Sequence, residues 1–173
     1  MVIGGLFLKK WTAVKLSILW LLGHIANYIL LKYRFPLRFM KLTESTDKGL
    51  TGEQINALRF SVGWCTKRSE EKWREILDKS SFVYSVFDKD KLVGMGRIVE
   101  DGVMCMFYDI IVHKYYQGAG VGKMIMNNLL DFTKDKKYSS ISLFADPDNR
   151  NFLISFYNKF GFELFETSMR LKK

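Results

Sequence analysis

Between Ser81 and Val112 the apolar positions fall in three short runs, SFVYSVF (81–87), KLVGMGRIVE (91–100) and VMCMFYDIIV (103–112). Each is rich in β-branched and aromatic residues, and polar turns separate them: Asp-Lys-Asp at 88–90, then Asp101–Gly102. Runs of this length joined this tightly predict three consecutive strands in an antiparallel meander. On either side the period lengthens. GEQINALRF (52–60) and SEEKWREILDKS (69–80) predict two helices, the second with Ser69 as its cap and Glu70 and Glu71 near the positive end of its dipole. The stretch from Gly120 to Phe132 is apolar at Val121, Met124, Ile125, Leu129 and Phe132, close to helical spacing.

Three more elements complete the pattern. FMKL around Met40 predicts a first strand, and SSISLFA (139–145) a strand that the preceding helix allows to lie parallel to its predecessor. NRNFLISFYNKF (149–160) predicts a helix stopped by Gly161, and FELFETSMRL a last strand. The order is β, α, α, β, β, β, α, β, α, β, with no internal repeat.

The first 39 residues are different. Their longest charge-free stretch, Leu16 to Leu31, has 16 residues and is interrupted by His24 and Asn27, short of the roughly 20 that a spanning helix needs. Lysines and arginines flank it on both sides, and no small-residue cleavage site follows it, so it makes neither an oriented span nor a secretory signal. Three readings stand: a peripheral membrane anchor, a helix docked on another subunit of a homodimer, or residues upstream of a working protein that starts at Met40. The expected organisation is a leader at 1–39 and one domain at 40–173.

Composition narrows the classes. With 173 residues, 48% of them apolar and 15% aromatic, the chain can bury one core. The net charge of +9 belongs largely to the leader, which holds six basic residues and no acid; the domain keeps 21 basic against 18 acidic residues. The domain has no basic stripe with interleaved aromatics, so nucleic acid is not the expected ligand. Two cysteines, Cys65 and Cys105, make no disulfide framework and no metal-ligand spacing. A reducing, cytoplasmic location and no metal are expected.

The segment HKYYQGAGVGKM (113–124) carries the candidate chemistry. A dinucleotide fingerprint beginning at Gly118 would need glycine at 123, where Lys123 stands; a P-loop ending in Gly122–Lys123 would need glycine at 117 and a hydroxyl residue at 124, where Gln117 and Met124 stand. What fits is Gln-x-x-Gly-x-Gly, formed by Gln117, Gly120 and Gly122 between a strand and a helix. This resembles the signature of the GNAT superfamily of acetyl-CoA-dependent N-acetyltransferases. FYNKFGFE (156–163) is similar to that family's FYxKxGF segment, and the element order from 40 to 173 is similar as well. The resemblance implies an α/β fold with a mixed, mostly antiparallel central sheet, splayed parallel strands and flanking helices. It also implies acetyl-CoA as co-substrate.

Each part of the loop has a physical role under that reading. Main-chain amides at a helix start satisfy pyrophosphate oxygens, and the dipole favours their charge. Gln117, Gly118, Ala119, Gly120, Val121, Gly122 and Lys123 are the expected cradle, with Lys123 either adding a point charge or simply solvated. By resemblance, the pantetheine arm lies along the backbones of Ile110, Ile111 and Val112 as an added strand would, and one amide there polarises the thioester carbonyl. Asn149 flanks the position at which family members often have a cofactor-contacting asparagine; Arg150 stands at that position itself.

Tyr157 matches the family tyrosine that protonates the departing sulfur; an apolar stripe of Leu153, Phe156, Tyr157 and Phe160 also permits a purely packed role. For the base, Asp109 is the candidate, either relaying a proton through water or holding the strand or the amine in place. Strand alternation puts it on one face with Phe107 and Ile111. An acid amid MFYDIIV must meet a partner or face a cleft. His113 opens the loop and is expected to face solvent. The acceptor side would include Trp64 and Arg68 in the loop SVGWCTKR (61–68). The expected activity is acetyl transfer to a primary amine of a small molecule or polyamine-like acceptor; the rival is a non-catalytic CoA-binding module that docks through the leader.

Overall fold

In a computed structural model of the chain, residues 41–145 and 150–164 are described. The leader, Asn149 and nearly all of the predicted last strand lie outside these residues, and Phe162–Leu164 carry no regular structure.

Among the described residues, five strands form one sheet in the order β1-β2-β3-β4-β5. They are β1 (Leu42–Ser45), β2 (Phe82–Asp88), β3 (Lys91–Glu100), β4 (Met104–Val112) and β5 (Ser140–Leu143). The first four pair antiparallel, and β4 pairs parallel with β5, as the meander and the intervening helix predict. Among the described residues, four α-helices flank the sheet: α1 (Gly52–Ser61), α2 (Glu70–Asp78), α3 (Val121–Thr133) and α4 (Arg150–Tyr157).

Local signals explain the helix starts. Ser69 Oγ accepts from the Lys72 amide, as its position predicts. At α1 a full capping box forms, with Thr51 Oγ1 accepting from the Gln54 amide and the Gln54 side chain accepting from the Thr51 amide. The Thr51-x-x-Gln54 spacing is the local signal for this start.

The two faces of the sheet are covered differently. On one face, Ile55, Leu58, Trp73 and Leu77 of α1 and α2 bury Val83, Leu92, Met95 and Ile111. On the other, α3 buries Val121, Ile125, Met126 and Leu129. Gly94 and Gly96 of β3 let that helix approach: a Cβ at either would lie 2.6 Å from Val121 Cγ1 or Ile125 Cγ2. α3 is thereby pressed onto the sheet with its first turn beside the end of β4.

Candidate active site

Two irregularities in β4 create the site. The first lies on the β3 side. Met95 pairs with Ile111 and Arg97 with Tyr108, so the single residue Gly96 stands opposite both Asp109 and Ile110. This is a β-bulge, and Asp109 takes φ +47° within it, a left-handed conformation uncommon for a residue with a side chain. The extra residue breaks the alternation. Phe107 pairs with Ile98 and Ile111 with Met95, which lie on opposite faces of β3, so Phe107 and Ile111 do not share a face as strict alternation predicts. The second irregularity is on the β5 side, where parallel pairing ends at Phe107–Leu143. From Tyr108 to Val112, β4 therefore has no partner strand on that side among the described residues.

A cleft of about 630 Å³ opens along this free edge. Its walls come from the backbone run Phe107–Val112, from Val62 and Trp64 of the loop after α1, and from Leu153 and Tyr157 of α4, with Lys114 and Gln117 at one end. The structure thus brings Asp109, Ile110, Ile111, Val112, Gln117 and Tyr157 to one place.

At the glycine loop, β4 leads through a short 3-10 turn, Lys114–Tyr116, into α3. Gly118 and Gly120 have φ +73° and +85°, which glycine adopts without a Cβ penalty. Gly120 is the N-cap of α3 and offers no side-chain cap, and the first turn holds no acid. The first helical bond runs from the Met124 amide to the Gly120 carbonyl (3.0 Å), so the amides of Val121, Gly122 and Lys123 lack acceptors within the helix. A Cβ on Gly120 would meet nothing within 4 Å. These unshielded amides, with exposed Lys123 beside them, suit the oxygens of a pyrophosphate. Gln117 acts through its side chain: Nε2 donates to the Val112 carbonyl (3.1 Å) and ties the loop to the strand end.

His113 departs from expectation. It is buried, 7% exposed, rather than facing solvent. Its Nδ1 accepts from the Tyr115 amide (3.3 Å), its amide donates to the Val93 carbonyl (2.9 Å), and its ring meets that of Tyr116 edge-on. Burial, then Lys91 and Lys114, hold its pKa below the usual imidazole value. Tyr116 in turn donates to Asp88 (2.7 Å), which fixes the turn to the β2 end.

Tyr157 is 9% exposed, in edge contact with Phe156 and Phe162, and lines the cleft. Burial alone pushes its phenol up to about 12. It is at once a packed residue and a wall of the site.

Asp109 meets partners and also faces the cleft. Its Oδ2 accepts from Arg97 Nε (2.6 Å) and its Oδ1 from Arg59 Nη1 (3.2 Å), with the Arg59 and Asp109 side chains 8% and 13% exposed. The Arg59 guanidinium lies over Trp64 (4.8 Å) and near Trp73 (5.6 Å), and Arg97 lies over Tyr108 (4.8 Å). Neither arginine was singled out in the sequence. Arg97 left a trace, as a charge on the same strand face as buried Met95; Arg59 left none, because its partner lies 50 residues away.

The family pattern described as Acetyltransferase (GNAT) family matches residues 51–162. The chain belongs to the GNAT acetyltransferase family. It is 34% identical over 131 residues to the uncharacterized N-acetyltransferase ycf52 of Pyropia yezoensis, covering 73% of this chain and 72% of that one. Identity to the chloroplastic serotonin N-acetyltransferase 2 of Oryza sativa subsp. japonica is 28%, over 72% of this chain and 62% of that protein. Among solved structures, a protein of unknown function from meticillin-resistant Staphylococcus aureus superposes with TM-score 0.66 at 31% identity, covering 76% of this chain and 99% of the other. The mixed sheet with its splayed parallel pair is the GNAT fold, and the protein is an acetyltransferase enzyme of a family that uses acetyl-CoA.

Proposed function

We propose that this GNAT enzyme transfers the acetyl group of acetyl-CoA to a primary amine of a small molecule by direct attack, with both substrates held in the cleft along β4. The observation that carries this reading is the edge of β4 from Tyr108 to Val112, free of a partner strand among the described residues and running between the uncapped start of α3 and Tyr157. Acetyl-CoA supplies the acetyl group as a thioester. The amides of the α3 start and its loop hold the diphosphate; the backbones of Ile110, Ile111 and Val112 take the extended arm as an added strand and present an amide to the carbonyl oxygen. As the C–N bond forms and the C–S bond breaks, Tyr157 donates its proton to the departing sulfur, the amine nitrogen gives up one proton to water, and the Tyr157 phenolate recovers a proton from solvent. A phenol at about 12 keeps its proton throughout the neutral range, so the donor is always loaded.

The lining also bears on the acceptor. Among the described residues of the cleft, Asp109 is the one acid, and two guanidinium groups already share it. A polyamine-like acceptor would find little to balance its further charges, so the reading favours a monoamine.

The test uses the whole chain with acetyl-CoA and a panel of amines, following thiol release. Tyr157→Phe should lower kcat on the order of 10²-fold or more while acetyl-CoA affinity changes little. Absence of transfer to every amine, together with no calorimetric heat on adding acetyl-CoA, would overturn the reading.

A further inference from the structure

We propose that Asp109 is a positioning residue rather than the proton acceptor: clamped by Arg97 and Arg59, it sets the bulge that aims the reactive edge of β4. This deepens the acetyl-transfer reading and rests on it.

Three observations converge. Asp109 sits at φ +47° at the point where β4 gains one residue on β3, so its backbone angle decides where the Ile110 amide and carbonyl point. The two carboxylate oxygens are divided between different elements, Oδ2 to Arg97 on β3 and Oδ1 to Arg59 on α1. Each clamp is itself fixed: Arg97 Nη1 reaches Ser80 Oγ (3.4 Å) and its guanidinium covers Tyr108, while the Arg59 guanidinium lies over Trp64, one of the aromatic residues lining the cleft. The Trp64 amide also donates to the Arg59 carbonyl (3.1 Å).

A continuous path therefore runs from the acceptor wall through Arg59 and Asp109 to the bulge. A base needs an oxygen turned to its substrate, and here each carboxylate oxygen already accepts from a guanidinium donor. A joint must be held from several sides, and Asp109 is. The left-handed backbone is tolerated because aspartate is one of the few residues with a side chain that visits it, and the paired carboxylate keeps it there.

The roles separate by experiment on the full chain, using acetyl-CoA and whichever amine the wild-type enzyme acetylates. Asparagine tolerates the same backbone region and still offers one oxygen acceptor, so positioning predicts that Asp109→Asn lowers kcat by less than about tenfold and leaves the pH–rate profile in place. Arg97→Ala should lower kcat roughly 30-fold or more with the KM for acetyl-CoA within about threefold, and Arg97→Lys should recover part of that loss. A kcat loss of about 10³-fold in Asp109→Asn together with a displaced or missing acid limb would identify a general base and overturn the proposal. Should Asp109→Asn fold poorly, the Arg97 pair decides: wild-type kcat in Arg97→Ala overturns it equally. A wild-type chain that acetylates nothing defeats the acetyl-transfer reading itself, a result distinct from any ranking of variants.

Discussion

Gly122 stands against Phe156: a Cβ added to the glycine would lie 3.3 Å from Phe156 Cζ and 3.7 Å from Val112 Cγ2. One contact thus joins the first turn of α3, the end of β4 and the helix that carries Tyr157. The glycine of the motif serves two ends, leaving its amide unshielded and letting α4 seat beside the cleft.

Substituting that glycine tests the coupling. Gly122→Val should displace Phe156 and with it Tyr157, lowering both acetyl-CoA affinity and kcat, and overpacking of this kind costs about 1–3 kcal/mol. Paired measurements of binding by calorimetry and turnover by thiol release check it; a variant that loses affinity alone would show the two helices to be independent.

Gly120 makes the contrasting case. Its added Cβ meets open space, so the penalty comes from φ +85° and from shielding the amides. Gly120→Ala should lose about 1–2 kcal/mol of stability and a larger share of acetyl-CoA affinity. Thermal melts with and without acetyl-CoA measure both, the ligand-induced rise in Tm shrinking in the variant.

Alkaline unfolding should report the burial of Tyr157. Its phenol titrates near 10 when exposed and at about 12 in the fold, so the native state holds a proton that the unfolded state has released. The contribution is fully present below pH 10 and is lost as pH rises toward 12, amounting to about 2–3 kcal/mol across the window. Tm measured from pH 8 to 11 should fall less steeply in Tyr157→Phe than in the wild type. Buried Cys105, pushed up to about 11, and Tyr116, pushed up to about 12, act in the same direction in both proteins.

His113 acts at the opposite end. Its folded pKa is depressed, so the unfolded chain takes up a proton first as pH falls. Its contribution is intact above about 6.5 and declines as pH drops below that value. His113→Asn, which can still accept from the Tyr115 amide, should flatten the decline of Tm between pH 7 and 5. An unchanged slope would mean that other groups dominate acid sensitivity.

Strands β2 to β5, the helices and the glycine loop were legible in the chain because each is written within a few neighbouring residues, whereas β1 runs from Leu42 to Ser45, largely beyond the FMKL run that predicts it. KLVGMGRIVE became β3 from Lys91 to Glu100, and Gln117, Gly120 and Gly122 lie where their spacing put them. Tertiary structure alone decided the rest. The extra residue opposite Gly96 re-sorted the faces of β4, since alternation assumes an uninterrupted ladder. The partners of Asp109 come from a neighbouring strand and from a helix 50 residues back, and burial of His113 depends on how the turn seats against β3. Side-chain partners and burial are set by packing between elements distant in the chain, and no local pattern in the sequence encodes them.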